Sequence, residues 1–440
     1  MNPLLWVSSG GRLAAPVAVG VLAIMLSACG GSGNQGKASN SGQLSAMASV
    51  GKQLFFDANL SASGQQSCSS CHEPASAYAA PNALSVQPGG VNMDLTGLRN
   101  TPSLRYSAFT PAFHFQSDGT PTGGFFLDGR AASLADQAEK PFLNEFEMAN
   151  TSSAELQQRL LTRPYLSQFT QVFGADVLKD ADSTLHSIGQ AIAAFEKEDP
   201  SFHPFSSKFD AWSQGKTQLT AQELNGFALF NNPGKGNCSA CHVSTPVNGV
   251  PALFTDFTYD NIGVPRNWAI DANSDSTKLT YVPQNGGGLG APYHKYFDMG
   301  LCGPQRTDLS GNTLTCGQFK VPTLRNIAVK QSYFHNGIFH TLQDTVTFYI
   351  TRDTNPERWY VQADGKTPDI PYNDLPTMYD ANVNVLEAPY NPKIAPTMNA
   401  GEITDLVAFL CTLTDGFDPA NPGAYANAAQ CNGTSSPPPL

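Results

Sequence analysis

Apolar residues recur at helical spacing near the end of each half of the chain, in STLHSIGQAIAAFEKED (183–199) and NAGEITDLVAFLCTLT (399–414). The spaced positions are Leu185, Ile188, Ile192 and Phe195 in the first segment, and Ile403, Leu406, Val407 and Leu410 in the second. Each segment is therefore apolar along one side, as in a helix packed on a core. Neither half contains a convincing run of alternating polar and apolar residues, which a strand would show. The pattern predicts an all-α fold.

Two other segments repeat one plan: GKQLFFDANLSASGQQSCSSCH (51–72) and GFALFNNPGKGNCSACH (226–242). Each runs from a helix end carrying Leu-Phe, through a glycine-containing loop, into Cys-x-x-Cys-His. Thr220 and Glu223 have the spacing of a capping box that opens the second of these helices. The repeat predicts two domains, residues 48–205 and 206–418, followed by a tail over 419–440.

The composition is that of an acidic globular protein. The 440 residues carry a formal net charge of −11 and are 41% apolar, which suffices for about two to three domains. The acidic balance argues against a nucleic-acid surface and suits a basic redox partner or none. The 39 glycines and 32 prolines predict a loop-rich fold.

The N-terminus has the features of an export signal. Arg12 precedes an apolar run over residues 13–26, which is too short for a comfortable membrane span. The run ends in LSAC, followed by GGSGNQGKASNSG, as in a bacterial lipoprotein signal. We expect residues 1–28 to be the signal peptide, Cys29 to be lipidated and residues 29–47 to form a tether. The alternative is an ordinary secretory signal. Either way the protein is exported, and we expect it in the periplasm, anchored by lipid at the outer membrane.

The Cys-x-x-Cys-His run is the attachment signature of a c-type haem, in which two thioethers fix the porphyrin and the histidine is an axial ligand. A redox Cys-x-x-Cys motif would not need a histidine at that place twice. Zinc would recruit further paired Cys or His at short spacing, and none is present. We therefore predict two c-type cytochrome domains, each with one covalent haem. The attachment residues are Cys68, Cys71 and His72 in one motif, and Cys238, Cys241 and His242 in the other.

Of the nine cysteines, one lies in the signal, four lie in the haem motifs and four remain. The remaining four are Cys302, Cys316, Cys411 and Cys431. Three pairings are open to them, of which the local pairs Cys302–Cys316 and Cys411–Cys431 are the simplest. We expect these disulfides to be structural.

With both haem motifs placed, the chain from residue 51 to about 415 resembles the bacterial di-haem cytochrome c peroxidase/MauG family. The motifs that carry the resemblance are GKQLFFDANLS, LRNTPSL, FFLDGRAASLADQAEKPFLNEFEM, LTAQELNGFALF and VPTLRNIAVKQSYFHNGIFHTLQDTVTFY. The resemblance implies that peroxide reacts at the haem ligated by His72 and that the haem ligated by His242 handles electrons.

Peroxidases of this family that rest in an inactive state close the peroxide site with a histidine from the loop after the first haem motif. Here that loop, EPASAYAAPNALSVQPGGVNMDLTGLRN, contains no histidine. The sixth position of the first haem is therefore expected to be empty or to hold water. His114, which lies beyond the family's ligand position, is the alternative.

The resemblance also places the proton-transfer group. Within DQAEKPFLNEFEM, Glu147 aligns with the family's distal glutamate, and Gln137 and Pro141 fall at pocket positions. Glu145 is the competitor, two residues away and therefore expected on a different helical face. A carboxylate in a haem pocket should have a raised pKa, because burial disfavours its charge.

The sixth ligand of the second haem differs from the peroxidases, in which a Met lies about fourteen residues after the YFH histidine. The same count from His335 reaches Tyr349. In HTLQDTVTFYI, helical spacing places Tyr349 on the apolar side. We expect Tyr349 to be an iron ligand, as in MauG, against the alternative of a buried core tyrosine. Met299 is the reserve candidate.

Two further positions depart from the family pattern. Leu127 replaces the Trp that usually precedes DGRA as an electron relay, so electron transfer between the haems needs another route. The family also binds calcium between its domains. Asn100 matches the side-chain ligand, and Lys330 and Ser332 fall where backbone carbonyls are used, so a calcium ion is expected.

Three functions follow from these expectations. The leading one is a peroxidase that reduces hydrogen peroxide at the His72 haem, through a high-valent state shared with a His/Tyr-ligated second haem. The second is MauG-like oxidation of a partner protein, and the third is an electron carrier without catalysis. A small redox protein would be the donor or the substrate. A high-spin ferric spectrum would favour an enzyme over the carrier.

Overall fold

The helices begin at side-chain caps that the sequence supplies. The structure, a computed structural model, describes residues 43–284, 288–390, 395–425, 428, 430 and 431. Its α-helices are α1 (Ala46–Phe56), α2 (Cys68–Cys71), α3 (Leu134–Leu143), α4 (Ser153–Leu160), α5 (Leu166–Phe173), α6 (Ala181–Glu198), α7 (Lys208–Ser213), α8 (Ala221–Asn231), α9 (Asp271–Ser274), α10 (Leu342–Thr351) and α11 (Ala400–Cys411). The predicted capping box at the start of α8 is confirmed, because Thr220 and Glu223 each accept a hydrogen bond from the other's backbone N–H.

The two predicted amphipathic segments form α6 and α11, and all eight of their spaced apolar positions are buried. α6 packs on α1 and α3, whereas α11 packs on α8 and α10. One core cluster lies between Val50 and Phe202 in sequence, and a second lies between Phe209 and Ala428. Residues 44–440 nonetheless belong to one compact unit, so the boundary at residue 205 stays a prediction.

A glycine that both sequence repeats share allows each half's central helices to touch through their backbones. A Cβ on Gly51 of α1 would lie 1.8 Å from the Ala191 carbonyl oxygen of α6. A Cβ on Gly226 of α8 would lie 2.0 Å from the Asp405 carbonyl oxygen of α11. Any larger residue would force the two helices of the pair apart, which explains why both repeats begin with glycine.

Little of the described chain forms sheet. The strands are β1 (Pro88–Gly89), β2 (Leu95–Thr96), β3 (His114–Phe115), β4 (Pro121–Thr122), β5 (Tyr259–Asp260), β6 (Thr280–Pro283), β7 (Leu289–Tyr293) and β8 (Phe319–Lys320). They pair as antiparallel two-stranded ladders, β1 with β2, β3 with β4, β5 with β8 and β6 with β7. The fold is therefore helix-rich with little sheet rather than strictly all-α.

Two disulfides join residues that are close in sequence, Cys302 with Cys316 and Cys411 with Cys431. Of the three pairings of these cysteines that the sequence left open, this is the local one. Cys29 and the predicted signal peptide lie outside the described residues. Within the described part of the chain, no helix combines the length and the apolar character that crossing a membrane requires.

Candidate active site

A cavity of about 710 Å³ reaches both Cys-x-x-Cys-His motifs. It also reaches most of the other predicted site residues, although these are spread along the sequence. Its lining includes Cys68, Cys71, His72, Gln137, Pro141, Glu147, Cys238, Cys241, His242 and Tyr349. The structure thus places the predicted haem-binding and proton-transfer residues around one interior space.

His72 follows α2 directly, and its ring is oriented by a backbone carbonyl. Its Nδ1 lies 3.0 Å from the Tyr78 carbonyl oxygen. A carbonyl only accepts hydrogen bonds, so Nδ1 carries the proton and Nε2 keeps the lone pair that binds a metal. Burial lowers the pKa of His72 to about 4, so the ring is neutral at pH 7. Both features suit an axial iron ligand.

His242 repeats this arrangement in the second half. Its Nδ1 lies 2.9 Å from the Phe254 carbonyl oxygen, and burial lowers its pKa. Tyr78 and Phe254, which supply the two carbonyls, both have a φ of 54°, in the left-handed region that bulky residues rarely occupy. Strained backbone of this kind is held in place where the surrounding structure requires it.

The groups that hold these two loops were missed by the sequence reasoning. The Ser103 hydroxyl donates to the Ala77 carbonyl at 2.6 Å, one residue before Tyr78. The Thr323 hydroxyl donates to the Leu253 carbonyl at 2.6 Å, one residue before Phe254. A signal was present, because TPSLR (101–105) and VPTLR (321–325) repeat the same hydroxyl position after proline.

The donor set fits covalently bound haem. The four thiols of the two motifs form no disulfide and line the cavity. Burial raises their pKa, to about 11 for Cys71 and about 12 for Cys238, so they are protonated, uncharged groups at pH 7. Among the described residues no cluster of three or more Cys, His, Asp or Glu is arranged to hold a metal ion, so the zinc alternative finds no support.

Glu147 lies in the turn after α3, not on a helix. α3 ends at Leu143, so the expectation that helical faces separate Glu145 from Glu147 is wrong. The turn itself separates them, because Glu147 lines the cavity whereas Glu145 is exposed and does not. The backbone is held on the cavity side by the Gly90 N–H, which donates to the Glu147 carbonyl at 2.9 Å.

Electrostatics at Glu147 suit proton transfer. Burial raises the pKa of its carboxyl above the ordinary value of 4.5, and the nearby Arg130 guanidinium opposes that shift. Arg130 is fixed by Asp128, because its Nη1 donates to the two carboxylate oxygens at 3.0 and 2.9 Å. Gln137 and Pro141, one helical turn apart on α3, complete this wall of the cavity.

His114, the alternative ligand for the first haem, is not part of the cavity lining. It is exposed on β3, and its Nδ1 lies 3.0 Å from the Ala112 carbonyl oxygen. The structure therefore does not bring His114 to the first motif.

Tyr349 lies on α10 and lines the cavity on the side of the second motif. Burial raises the pKa of its phenol, and the nearby Cys238 and Cys241 thiols raise it further. No described residue forms a hydrogen bond with its hydroxyl. Met299, the reserve candidate, is fully buried in another cluster beside the Cys302–Cys316 disulfide and does not line the cavity.

A second tyrosine of this region was not identified from the sequence. Tyr390 lines the same cavity, with its ring centroid 6.0 Å from that of Tyr349 and an interplanar angle of 26°. The Arg352 guanidinium lies 4.0 Å from the centroid of the Tyr390 ring, which places a positive charge beside the two phenols. No local motif marks Tyr390, which is distant in sequence.

Leu127, at the position of the family's Trp, also lines the cavity. Its carbonyl accepts a hydrogen bond from the Lys320 N–H at 2.8 Å. Close by in sequence, Phe319 stacks on His335 with 3.8 Å between ring centroids, and both rings line the cavity. Conjugated rings therefore line the same cavity as Leu127.

The residues of the predicted calcium site do not fit a calcium ion. The Lys330 ammonium donates to the Asn100 Oδ1 at 3.1 Å, the oxygen that calcium would need. The Asn100 amide donates to the Ser332 hydroxyl at 2.6 Å. The Lys330 carbonyl accepts from the Tyr333 hydroxyl at 2.8 Å. Calcium requires six to eight oxygens at about 2.3–2.6 Å, and an ammonium cannot share their space.

The chain is similar to several known proteins. Residues 45–218 match the family model described as di-haem cytochrome c peroxidase. The methylamine utilization protein MauG of Paracoccus denitrificans is 34% identical over 379 residues, covering 84% of this chain and 89% of MauG. The cytochrome c551 peroxidase of Nitrosomonas europaea is 32% identical, covering 68% and 71%. The crystal structure of the diheme peroxidase BthA from Burkholderia thailandensis superposes with a TM-score of 0.74 at 38% identity, covering 87% and 91%.

Proposed function

This chain belongs to the di-haem cytochrome c peroxidase/MauG family of peroxide-using oxidoreductases, and we propose that it reduces hydrogen peroxide to water at the first of two haems. The observation that carries this proposal is the single cavity lined by both haem motifs and by Glu147. The overall reaction is H2O2 + 2 H⁺ + 2 e⁻ → 2 H2O, so the site must deliver both protons and electrons.

The two haems would be held by the paired thiols and by the Nε2 atoms of His72 and His242. Haem iron supplies the electrons that break the peroxide O–O bond. The carbonyls of Tyr78 and Phe254 fix the tautomer of each histidine and increase its basicity as a ligand. The absence of His114 from the cavity supports an open peroxide position at the first haem.

Glu147 moves the proton in this proposal. Its carboxylate accepts the proton of the peroxide oxygen that approaches the first haem, and returns it to the departing oxygen as water forms. Burial supports this role, because a carboxyl with a raised pKa both accepts and releases a proton near neutral pH. Arg130 favours the ionised form of the Glu147 carboxyl, so part of it stays deprotonated and able to accept a proton. Gln137 and Pro141 form the adjacent wall of the cavity.

Tyr349 is the proposed sixth ligand of the second haem. Its hydroxyl lacks any hydrogen-bond partner among the described residues and lies beside Cys238 and Cys241. Iron would be the largest local charge and would reverse the pKa trend of the phenol, so that the oxygen binds as phenolate. An anionic oxygen donor favours the oxidised metal, so the diferric protein would be ready for peroxide.

The test is rapid mixing of the diferric protein with hydrogen peroxide, followed at the Soret and near-infrared bands. We expect changes at both haems without added reductant, and catalytic peroxide consumption when a reducing dye is supplied. Bands that change only after prior reduction would contradict the open, tyrosine-ligated site. Bands that never change with peroxide would contradict the peroxidase itself and favour an electron carrier.

Oxidation of a partner protein is the second candidate, because the MauG similarity covers 84% of this chain. The same site would then take its electrons from the partner's side chains. The two functions differ in their electron source: a peroxidase turns over with a small redox protein or a dye, whereas the partner reaction leaves a permanently oxidised protein that mass spectrometry detects.

The cellular location is proposed from the N-terminal sequence. The LSAC motif ending at Cys29 supports export to the periplasm and lipid anchoring there, at the outer membrane. Export also agrees with the two disulfides, since these persist in oxidising compartments.

A further inference from the structure

The position at which the family resemblance implies calcium contains a side-chain cation. Lys330 projects its ammonium to two oxygens of the first half, the Asn100 Oδ1 at 3.1 Å and the Thr101 carbonyl at 2.8 Å. Lys330 and Asn100 are separated by 230 residues, so this contact joins the two halves of the sequence.

The surrounding polar groups are arranged for an ammonium rather than for a metal. Asn100 and Ser332 are only 4% and 1% exposed, and they are hydrogen-bonded to each other, amide to hydroxyl. The backbone of Asn100 is held as well, because its N–H donates to the His335 carbonyl at 2.7 Å. The acceptors of the ammonium are neutral carbonyl oxygens, so the charge of Lys330 is not cancelled by a bonded carboxylate.

The same cation lies near the first haem motif. Lys330 and His72 line the same cavity, and so does Thr101, whose carbonyl accepts from the Lys330 ammonium. A fixed positive charge on the wall of this cavity acts on whatever charge forms at the His72 ligand, as a bound divalent ion between the halves would.

We propose that the Lys330 ammonium is a built-in cation that replaces the calcium ion of this position, joins the two halves and supports the His72 site, so that the protein works without calcium. The side-chain tether keeps the amine at this position, whereas a bound ion leaves when calcium is scarce. The proposal does not depend on whether the haems serve peroxide reduction or partner oxidation.

The first experiment uses the native holoprotein. Calcium content is measured before and after dialysis against EGTA, together with the thermal midpoint, the absorption spectrum and the reduction potential of the first haem. We expect no stoichiometric calcium and no change in the other three on adding EGTA or calcium. One calcium per chain, whose removal lowers the midpoint or alters the first haem, would overturn the proposal.

The second experiment replaces the cation. Lys330→Met keeps the unbranched side chain up to the ε position but leaves the Asn100 and Thr101 oxygens without their donor, so we expect the thermal midpoint to fall by on the order of 2–4 °C. The first-haem potential should also fall, because a nearby positive charge favours the reduced iron. Unchanged values of both would overturn the proposal.

Lys320→Met is the matched control, since this lysine is partly buried at the same cavity, as Lys330 is, and donates to a single carbonyl, that of Gly124, at 2.5 Å. It should leave the Asn100 contacts and the calcium insensitivity intact. If Lys330→Met does not fold, Lys330→Arg, which keeps the charge, should still bind no calcium. Stoichiometric calcium in that variant would overturn the proposal.

Discussion

Glu147→Gln is the substitution that separates proton transfer from every other property of the site. The amide keeps the shape of the side chain but cannot take a proton from peroxide. The fold around it should persist, because Glu147 is anchored through its backbone, by the Gly90 N–H at 2.9 Å. The variant should therefore retain both haems and their spectra.

The expected loss follows from the position and burial of the carboxyl. A positioned acid–base group contributes about 10²–10⁴-fold to a rate, and 10²-fold corresponds to about 2.7 kcal/mol of barrier. Burial raises the pKa of Glu147 toward the working pH, which is the condition under which such a group is most effective. We expect the reaction with peroxide to slow by at least about 100-fold.

The pH profile gives a second readout of the same residue. Glu147 must be deprotonated to accept the proton, so the native rate should fall as the pH drops through its raised pKa, above 4.5. This fall of the rate at low pH should be missing in Glu147→Gln.

The raised pKa also means that the folded protein binds this proton more tightly than the unfolded chain. The associated stability is present below 4.5 and is lost as pH rises through the folded pKa, so the variant should be at least as stable at pH 7.

The assay is stopped-flow mixing with hydrogen peroxide, reading the rate of the Soret change across pH. Glu145→Gln is the matched control, because it makes the same change two residues away on an exposed side chain outside the cavity. It should react at the native rate. A native rate in Glu147→Gln, or an equal loss in Glu145→Gln, would refute the assignment of the proton to Glu147.

Four further outcomes test other parts of the structure. Tyr349→Met should raise the reduction potential of the second haem in spectroelectrochemistry, because a thioether favours Fe(II) where a phenolate favours Fe(III); an unchanged potential would remove Tyr349 as a ligand. Gly226→Ala should lower the thermal midpoint by on the order of 2–4 °C, because its Cβ would meet a carbonyl oxygen at 2.0 Å, whereas Gly234→Ala, whose nearest neighbour lies at 3.4 Å, should change it little. Glu196→Gln should raise the midpoint at pH 9 but not at pH 4: burial raises the pKa of Glu196 to about 8, so the stability linked to its proton is lost as pH rises from 4.5 through 8. Cys29→Ala should move the protein from the membrane fraction to the soluble one; retention in the membranes would contradict lipid anchoring.

Contiguous patterns were enough to predict the local features of this protein. The apolar spacing of α6 and α11, the capping box at Thr220 and the two haem motifs depend on neighbouring residues alone, and the structure contains each of them. Helical spacing likewise predicted that Tyr349 faces inward from α10, and it lines the cavity; its ligation of iron stays a prediction.

Features built from distant segments required the folded chain. The turn after α3 decides that Glu147 and not Glu145 enters the cavity, although their sequence contexts are alike. The contact between Lys330 and Asn100 joins residues that are 230 positions apart, and it places an ammonium where the sequence led us to expect calcium. Periodicity specifies which side of an element is apolar, but the paths of the loops, set by packing and backbone hydrogen bonds, determine which side chains meet.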